Sequence, residues 1–295
     1  MRWSDGFIAV DWGTTNRRAY LIDHRGLCAA KFEDGVGVQS VEAGDFAAAA
    51  ESIRGRLGQL PLLLAGMVGS NRGWVEAPYA ECPAGLEDLT ERLTLVEEGR
   101  TAIVPGLSTK ADDRPDVMRG EETQLFGALA AALIPSTSFV CHPGTHNKWV
   151  TVESGRITSF RTAMTGELFN LLRERGILAD LLAEKVTIGD AFRDGLRRGL
   201  EDCTLAAELF SVRAAVLLGD LQRGEAASLT SGLLIGADVA LGLRMAGGSE
   251  IMIMGRPELT ELYAAGVAEA GYSAREVDGA AAFLAGAMAI AWSMK

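Results

Sequence analysis

Short runs of hydrophobic residues and helical patterns of hydrophobic and polar residues follow one another along the chain, as is typical of α/β proteins. Apolar runs bounded by glycine or polar turn residues predict strands at residues 7–10, 19–22, 61–65, 101–104, 138–141, 149–152 and 250–254. Apolar residues at helical spacing predict helices over residues 44–57, 120–133, 191–200, 205–217, 226–243, 258–270 and 279–292. The chain after residue 155 is therefore expected to be mostly helical.

One strand–loop–strand pattern occurs twice, with an offset of 131 residues. The loop of the first copy is Gly13-Thr14-Thr15-Asn16, and the loop of the second copy is Gly144-Thr145-His146-Asn147-Lys148. Because the shared Gly, Thr and Asn lie between two predicted strands in both copies, a duplication is favoured over a chance identity. The repeat predicts two α/β domains, residues 1–135 and 136–295, with the boundary near Pro135.

Composition and charge narrow the classes of function. The chain has 295 residues, of which 48% are hydrophobic and 23% charged, so it can bury a full core. Its net charge of -11 argues against broad binding to nucleic acid, and no apolar run approaches the ~18 residues of a membrane span. Cys28, Cys82, Cys141 and Cys203 are far apart, which favours reduced thiols in a cytoplasmic protein. The expected partners are small molecules, and a homo-oligomer stays open.

The two Gly-Thr loops have the composition of phosphate-binding hairpins. Backbone N–H groups and hydroxyls at a hairpin tip suit phosphate oxygens, and glycine lets the backbone approach the anion. The expected phosphate-binding residues are Gly13, Thr14, Thr15, Asn16, Gly144 and Thr145, with His146 and Lys148 as further donors. Asp11 ends the first strand, where a carboxylate can bind the hydrated Mg²⁺ that accompanies ATP. The alternative is that both loops are ordinary hairpin turns.

Several motifs resemble a known family. Residues 8–16 and 143–149 resemble the two phosphate motifs of the actin, Hsp70 and sugar-kinase superfamily, and residues 251–255 resemble its adenosine motif. The closer resemblance is to 2-keto-3-deoxygalactonate kinases, and it is carried by residues 65–71, 117–125, 143–150, 160–168 and 231–237. It implies two ribonuclease-H-like, actin-like ATPase domains flanking a catalytic cleft, with ATP and Mg²⁺ as cofactors and Gly255 at the nucleotide. The implied reaction phosphorylates the 6-hydroxyl of 2-dehydro-3-deoxy-D-galactonate.

The run Met118-Arg119-Gly120-Glu121-Glu122-Thr123-Gln124 contains the candidate catalytic base. Phosphoryl transfer to an alcohol needs a carboxylate near the hydroxyl, and related carbohydrate kinases take it from the start of a helix ahead of the second phosphate hairpin. Glu121 directly follows Gly120 and is the preferred base, with Glu122 as its substitute. The alternative is that both are first-turn carboxylates that complement the helix dipole.

The loop of residues 66–74 follows a predicted strand, where open α/β sheets place ligand contacts. Ser70, Asn71 and Trp74 offer two polar groups and a flat apolar face for a carbohydrate. A sugar-acid substrate also needs a cation for its carboxylate, and the candidates are Arg72, Arg119 and Arg161, of which Arg119 is favoured by its position beside Glu121.

Two rival functions stay open from the sequence. One is a kinase for another sugar or sugar acid, and the other is a non-catalytic ATP-binding sensor on the same fold. A sensor needs no base, so Glu121 beside a polar loop favours an enzyme.

Overall fold

The computed structural model describes residues 3–201, 204–248 and 250–294. The chain folds into two compact units, of which the first comprises residues 1–136, 152–159 and 279–295 and the second comprises residues 137–151 and 160–278. The first change of unit is next to Pro135, and the chain returns to the first unit twice. Cys28, Cys82 and Cys141 are free thiols, whereas Cys203 lies outside the described residues.

The first half of the chain contains most strands of the first unit. Its elements are, in order, β1 (Gly6–Trp12), β2 (Arg17–Asp23), β3 (Cys28–Asp34), α1 (Phe46–Leu57), β4 (Leu62–Gly66), β5 (Tyr79–Glu81), α2 (Leu86–Thr90), β6 (Thr94–Val96), β7 (Thr101–Ile103), β8 (Gly106–Thr109), β9 (Asp116–Met118) and α3 (Glu121–Ala130).

The second half is richer in helices. Its elements are β10 (Ser138–His142), β11 (Asn147–Glu153), β12 (Arg156–Ala163), α4 (Thr165–Arg175), α5 (Asp190–Leu200), α6 (Leu205–Leu218), α7 (Ala226–Leu243), β13 (Ile251–Gly255), α8 (Pro257–Glu269), β14 (Ala274–Asp278) and α9 (Gly279–Ser293).

The central sheet of the first unit has the strand order β3-β2-β1-β4-β7-β6. β1 is antiparallel to β2 and parallel to β4, which in turn is parallel to β7. β1 and β4 are buried almost throughout, because a central strand whose two faces are both covered consists of a continuous apolar run. Since β1 and β4 are parallel, their carboxyl ends meet at one edge of the sheet.

A second sheet has the strand order β12-β11-β10-β13-β14, with β10 parallel to β13 and β13 parallel to β14. This order repeats that of β3-β2-β1-β4-β7 in the first sheet. The two Gly-Thr loops therefore occupy equivalent places, each between a central strand and the neighbour that follows it. The repeated order agrees with the duplication, and the expected mixed α/β fold of ribonuclease-H-like sheets is confirmed.

The core of the second unit is built around α7. This helix packs on α5, α6 and α8, and its residues are buried along most of its length. The stretch of residues 223–243 is long and apolar enough to cross a membrane. However, 78% of its most apolar 18-residue segment is buried inside the protein, as in the core helix of a globular fold. A single carboxylate, Asp238, interrupts this apolar helix and is buried with it.

Every strand and helix that the apolar pattern predicts is present, with ends displaced by at most three residues. The elements that it did not predict are β3, β5, β6, β8, β9, β12, β14, α2 and α4. The expectation of a mostly helical chain after residue 155 therefore holds, with β12 and β14 as additional strands.

Candidate active site

The first Gly-Thr loop is a tight turn between β1 and β2. The N–H of Gly13 donates to the carbonyl of Asn16 at 2.9 Å and closes the turn. The carbonyls of Gly13, Thr14 and Thr15 accept N–H groups from residues 37–39 at 3.0 to 3.2 Å, so a neighbouring segment holds the loop from one side. The side chains of Thr14 and Thr15 are exposed. The loop thus presents hydroxyls from a fixed backbone, as a phosphate-binding hairpin requires.

Asp11 lies one residue before the end of β1 and faces Arg18 on β2. The Nη2 atom of Arg18 is 3.3 Å from Oδ2 of Asp11, and its Nε atom is 4.0 Å from the carboxylate of Glu33. The side chain of Asp11 is 20% exposed, so its carboxylate is held by a cation yet reachable from solvent.

Three segments meet at the carboxyl ends of β1 and β4. Trp12 at the end of β1 is in register with Gly66 at the end of β4. A Cβ atom built on Gly120 would lie 3.2 Å from Cα of Gly66, so the start of α3 reaches the same place. The structure therefore brings together the surroundings of Asp11, the loop of residues 66–74 and the predicted base. This is the sheet edge at which parallel α/β sheets bind ligands.

The two glutamates in the turn that starts α3 differ in burial and in hydrogen bonding. Gly120 has φ +111°, a conformation that favours glycine, and its N–H donates to both carboxylate oxygens of Glu122 at 2.8 and 2.7 Å. Glu122 is fully buried, and burial, followed by the charge of Glu121, raises its pKa from 4.5 to about 8. Glu121 is half-buried, and one of its oxygens accepts the N–H of Arg119 at 3.1 Å. Glu122 therefore closes the turn by accepting a backbone N–H, while Glu121 is the more accessible carboxylate.

The loop of residues 66–74 uses one of its predicted ligands to fold itself. The hydroxyl of Ser70 donates to the carbonyl of Met67 at 2.7 Å and accepts the N–H of Arg72 at 3.3 Å. Asn71 is exposed, and Trp74 is partly buried against the core of the first unit. Asn71 and the open face of Trp74 are thus better placed than Ser70 to meet a ligand.

Only part of the hydrogen-bonding capacity of the Arg119 guanidinium is used by the described residues. Its Nη2 atom donates to the carbonyl of Ala77 at 2.7 Å, and its guanidinium carbon lies 4.4 Å from the ring centroid of Tyr79. A Cβ atom on Gly69 would be 2.9 Å from Nη1, which places the guanidinium against the loop of residues 66–74. Within the described residues, Nε and Nη1 are buried and have no hydrogen-bond partner. Buried donors of a charged group are rarely left unsatisfied, so these two point to an anionic ligand.

The other two candidate arginines lie elsewhere. Arg72 is exposed to solvent at the loop tip, and Arg161 is on β12 in the second unit. Arg119 adjoins both the loop of residues 66–74 and the predicted base, which supports the preference for it.

The second Gly-Thr loop, between β10 and β11, is held by the start of α4. A Cβ atom on Gly166 would lie 2.5 Å from the carbonyl oxygen of Gly144, so only glycine fits at this crossing. The N–H of Glu167 donates to the carbonyl of Thr145 at 2.9 Å, and its carboxylate is 2.5 Å from Nε2 of His146. Thr145 and His146 are exposed, whereas Lys148 is buried on β11. His146 therefore braces the loop through Glu167.

A polar cluster beneath this loop was missed from the sequence. Asp238 on α7 is buried and accepts hydrogen bonds from Asn147 and Trp149 on β11, from Thr165 on α4 and from Tyr263 on α8. The signal that could have found it is the lone carboxylate in an otherwise apolar helix, since a buried charge needs partners.

A cavity of about 250 Å³ opens beside the second loop. It is lined by Gly144, Thr165, Gly166, Phe169, Lys185, Val186, Ser231, Leu234, Ile235, Glu258, Leu259, Leu262 and Tyr263. Gly255 ends β13 two residues before the start of α8, which supplies part of the wall. A Cβ atom on Gly255 would lie 3.3 Å from the carbonyl oxygen of Pro143. An apolar cavity with a few polar groups, beside the predicted phosphate-binding loop, has the composition expected of a nucleoside site.

Comparison with known proteins gives consistent matches over nearly the whole chain. The model of the 2-keto-3-deoxy-galactonokinase family matches residues 11–290. The chain is 41% identical over 291 residues to 2-dehydro-3-deoxygalactonokinase of Escherichia coli (strain K12), with 97% of each chain covered.

Solved structures show the same relationship. The crystal structure of a candidate 2-dehydro-3-deoxygalactonokinase from Sinorhizobium meliloti has a TM-score of 0.89 and 34% identity, with 98% of this chain and 99% of that chain covered. An activator of 2-hydroxyisocaproyl-CoA dehydratase from Clostridium difficile, solved with bound ADPNP, shares the fold at a TM-score of 0.52 and 12% identity, over 98% of this chain and 95% of that one. The chain therefore belongs to the 2-keto-3-deoxy-galactonokinase family.

Proposed function

We propose that this chain transfers the γ-phosphate of ATP to the 6-hydroxyl of 2-dehydro-3-deoxy-D-galactonate, giving the 6-phosphate and ADP. The observation that carries the proposal is the match to the Escherichia coli relative of that name, which extends over 97% of both chains. The arrangement of the described side chains supports it, because each unit has the groups that one half of the reaction needs. We further propose that the protein works in the cytoplasm.

The first unit supplies the acceptor side of the reaction. Glu121 accepts the proton of the attacking hydroxyl, since it is the more accessible of the two carboxylates at the start of α3. Asn71 and Trp74 contact the carbohydrate, and Ser70 shapes the loop that carries them. The acceptor hydroxyl is a weak nucleophile, so a positioned base contributes mainly by removing its proton as the new P–O bond forms.

Arg119 binds the carboxylate of the sugar acid. Its Nε and Nη1 atoms are the donors available to an oxygen of the substrate, since Nη2 already donates to the carbonyl of Ala77. The bond from Nη2 to Ala77 and the contact with Tyr79 hold the guanidinium in place against the loop of residues 66–74. A substrate carboxylate is favoured over a neutral hydroxyl here, because hydrogen bonds from a charged donor to an ionised acceptor are the stronger ones.

The second unit supplies the nucleotide side. The cavity beside Gly144 takes the adenosine, with apolar walls for the base and a few polar groups for the ribose. The second loop, with Thr145 at its tip and Gly255 close to Pro143, binds the phosphates that leave the cavity. The first loop, with Gly13, Thr14, Thr15 and Asn16, is the corresponding phosphate-binding turn of the first unit.

Magnesium fits the residues of the first unit as a nucleotide-bound ion. No cluster of three or more His, Cys, Asp or Glu side chains capable of holding a metal is present among the described residues. Mg²⁺ bound with ATP needs only one or two carboxylates, because phosphates and waters complete its shell. Asp11 is the carboxylate that would hold it, and the ion would neutralise phosphate charge. Arg18, at 3.3 Å, holds the Asp11 side chain in place.

A coupled assay of ADP release tests this function directly. The purified protein is given ATP, Mg²⁺ and a panel of 2-keto-3-deoxy sugar acids, their epimers and the neutral sugars of the same length. Turnover is expected with the sugar acid, and the product should be its 6-phosphate by mass and NMR. Faster turnover of a neutral sugar would favour another kinase specificity. ATP binding without transfer to any member of the panel would favour the sensor.

A further inference from the structure

Asp238 accepts hydrogen bonds from three different elements of the second unit. Asn147 on β11 donates through Nδ2 at 3.1 and 3.0 Å, and Trp149 on the same strand donates through Nε1 at 2.7 Å. The hydroxyl of Thr165 on α4 donates at 2.6 Å, and the hydroxyl of Tyr263 on α8 donates at 2.5 Å. All four donors are neutral, and the carboxylate that they surround is 4% exposed.

Three of these four donors lie next to the proposed nucleotide site. Thr165 and Tyr263 line the cavity of about 250 Å³. Asn147 is the first residue of β11, directly after the second Gly-Thr loop. Thr165 is the first residue of α4, and the next two residues of that helix contact Gly144 and Thr145 of the loop. One carboxylate thus joins the loop and two walls of the cavity.

The chemistry of the cluster makes its geometry exacting. A buried carboxylate is costly unless donors satisfy it, and hydrogen bonds to an ionised group are about twice as strong as neutral ones. Burial, followed by the nearby Asp238, raises the pKa of Tyr263 well above its usual value, so its hydroxyl keeps the proton that it donates. The loop and the walls cannot move apart without breaking such bonds.

We propose that Asp238 is a positioning residue of the nucleotide site, which fixes the second Gly-Thr loop against the cavity walls formed by Thr165 and Tyr263. The inference rests on the proposed binding of ATP to the second unit and goes beyond it, because Asp238 touches no substrate itself. On this proposal, the affinity for nucleotide depends on Asp238, whereas the affinity for the sugar acid depends on residues of the first unit.

The test compares Tyr263→Phe, Asp238→Asn and the double variant by calorimetric titration with ATP and by steady-state kinetics. Tyr263→Phe keeps the ring that lines the cavity and removes only the hydroxyl that bonds Asp238. The dissociation constant for ATP should rise at least about fivefold in Tyr263→Phe and more in Asp238→Asn, in line with loss of a hydrogen bond to a charged group. The KM for the sugar acid should change less than about threefold, because the proposed contacts of the sugar acid lie in the first unit. A uniform loss of folded protein would change neither constant selectively.

The double variant separates positioning from direct contact. If the Tyr263 hydroxyl acts through Asp238, the double variant should bind ATP no more weakly than Asp238→Asn alone. Thr260→Val is the matched control, because Thr260 is buried on the same helix one turn away, bonds Pro257 and Glu276, and does not line the cavity. It should lower the melting temperature without changing the ATP affinity.

The outcomes distinguish this inference from the proposed function. A parent protein that does not bind ATP overturns both. A parent that binds ATP, with variants that bind it equally well and only melt earlier, overturns the positioning role alone. Additive losses in the double variant would mean that Tyr263 contacts the nucleotide directly, which also contradicts the role of Asp238. If Asp238→Asn does not fold, Thr165→Val is compared with Tyr263→Phe as a second single variant, since each removes one bond to Asp238, and ATP affinity equal to the parent's in both would overturn the role.

Discussion

Glu122 accepts the backbone N–H of Gly120 with both of its carboxylate oxygens, at 2.8 and 2.7 Å, although the two residues are separated by a single position. This contact closes the turn that begins α3 and buries the Glu122 carboxyl completely. Glu121, the next residue towards the amino terminus, is left half-buried at the mouth of the helix. Two adjacent glutamates therefore differ in their surroundings, because Glu122 completes the turn, whereas Glu121 stays partly exposed and accepts the N–H of Arg119.

The first prediction concerns the pH dependence of stability. The pKa of Glu122 is raised from 4.5 to about 8, by burial first and the charge of Glu121 second, with Arg119 acting in the opposite direction. The folded state thus binds a proton that the unfolded state has released, so this contribution is fully present below pH 4.5 and is lost as the pH rises through about 8. Glu122→Gln should remove up to about 1.4 kcal/mol of that loss per pH unit in this window.

The measurement is the melting temperature from pH 4.5 to 9 for the parent and the variant. The curves should approach each other at low pH and separate in favour of Glu122→Gln at high pH. Glu91→Gln, which changes an exposed carboxylate, serves as control and should follow the parent. Parallel curves for parent and Glu122→Gln would show that Glu122 is ionised in the folded protein throughout.

The second prediction concerns Asp11. Asp11→Asn should lower kcat by at least about a hundredfold, because a carboxylate that holds the nucleotide's metal ion stabilises the transition state by several kcal/mol. The melting temperature should change little, since the side chain is at the surface end of β1 and its ion pair with Arg18 is partly exposed. Activity is measured over a series of Mg²⁺ concentrations. The control is Glu33→Gln, which removes the other carboxylate near Arg18. Full kcat for Asp11→Asn at saturating Mg²⁺ would remove Asp11 from the mechanism.

The third prediction concerns the sugar-acid carboxylate. Arg119→Ala should raise the KM for the sugar acid about thirtyfold, as expected for a charge-assisted pair worth ~2 kcal/mol, and should change the KM for ATP far less. Arg72→Ala is the matched control, because Arg72 is exposed in the neighbouring loop. Equal effects of Arg119→Ala on both substrates would contradict the assignment. A larger effect in Arg72→Ala would transfer the role to that residue.

The central strands and the long helices could be predicted because burial on two faces, or on one helical face, leaves a clear apolar pattern. β1 and β4 are such strands, and their buried runs stand out in the sequence. β3 could not be found this way, because most of its residues are exposed and its polar and apolar positions do not alternate regularly. The short strands β5, β8 and β9 form a small sheet of three or four residues per strand, which is too short for any period to show.

Some residues of the candidate site could likewise be predicted from the sequence, and others could not. Glycine, threonine and acidic residues in the two loops and before α3 were recognisable because they follow strands in a repeated order. The roles within Glu121-Glu122 depended on which side chain turns inward, and only the fold shows that Glu122 does. Asp238 was hidden because its partners are 25 to 91 residues away along the chain, so no local spacing could reveal the cluster.

The last prediction assigns the base. Glu121→Gln should lower kcat by on the order of 10² to 10⁴, the usual contribution of a general base, because the amide cannot accept the proton of the attacking hydroxyl. Gln has the same shape as Glu, and its side-chain oxygen can still accept the N–H of Arg119, as Glu121 does at 3.1 Å. The turn should therefore keep its conformation. Binding of ATP should hardly change, since the proposed nucleotide contacts lie in the two Gly-Thr loops and the cavity of the second unit.

Glu122→Gln is the matched variant, with the same chemical change one residue further along α3. It should retain most of kcat near neutral pH, because the Glu122 carboxyl is buried, is bonded to Gly120 and has a pKa of about 8, which leaves it mainly protonated and unable to act as the base. Single-turnover rates and ATP dissociation constants are measured for both variants beside the parent. A loss of kcat that is larger in Glu122→Gln than in Glu121→Gln would reverse the assignment. Full activity in both variants would mean that neither glutamate removes the proton, because the amide of Gln cannot accept it at either position.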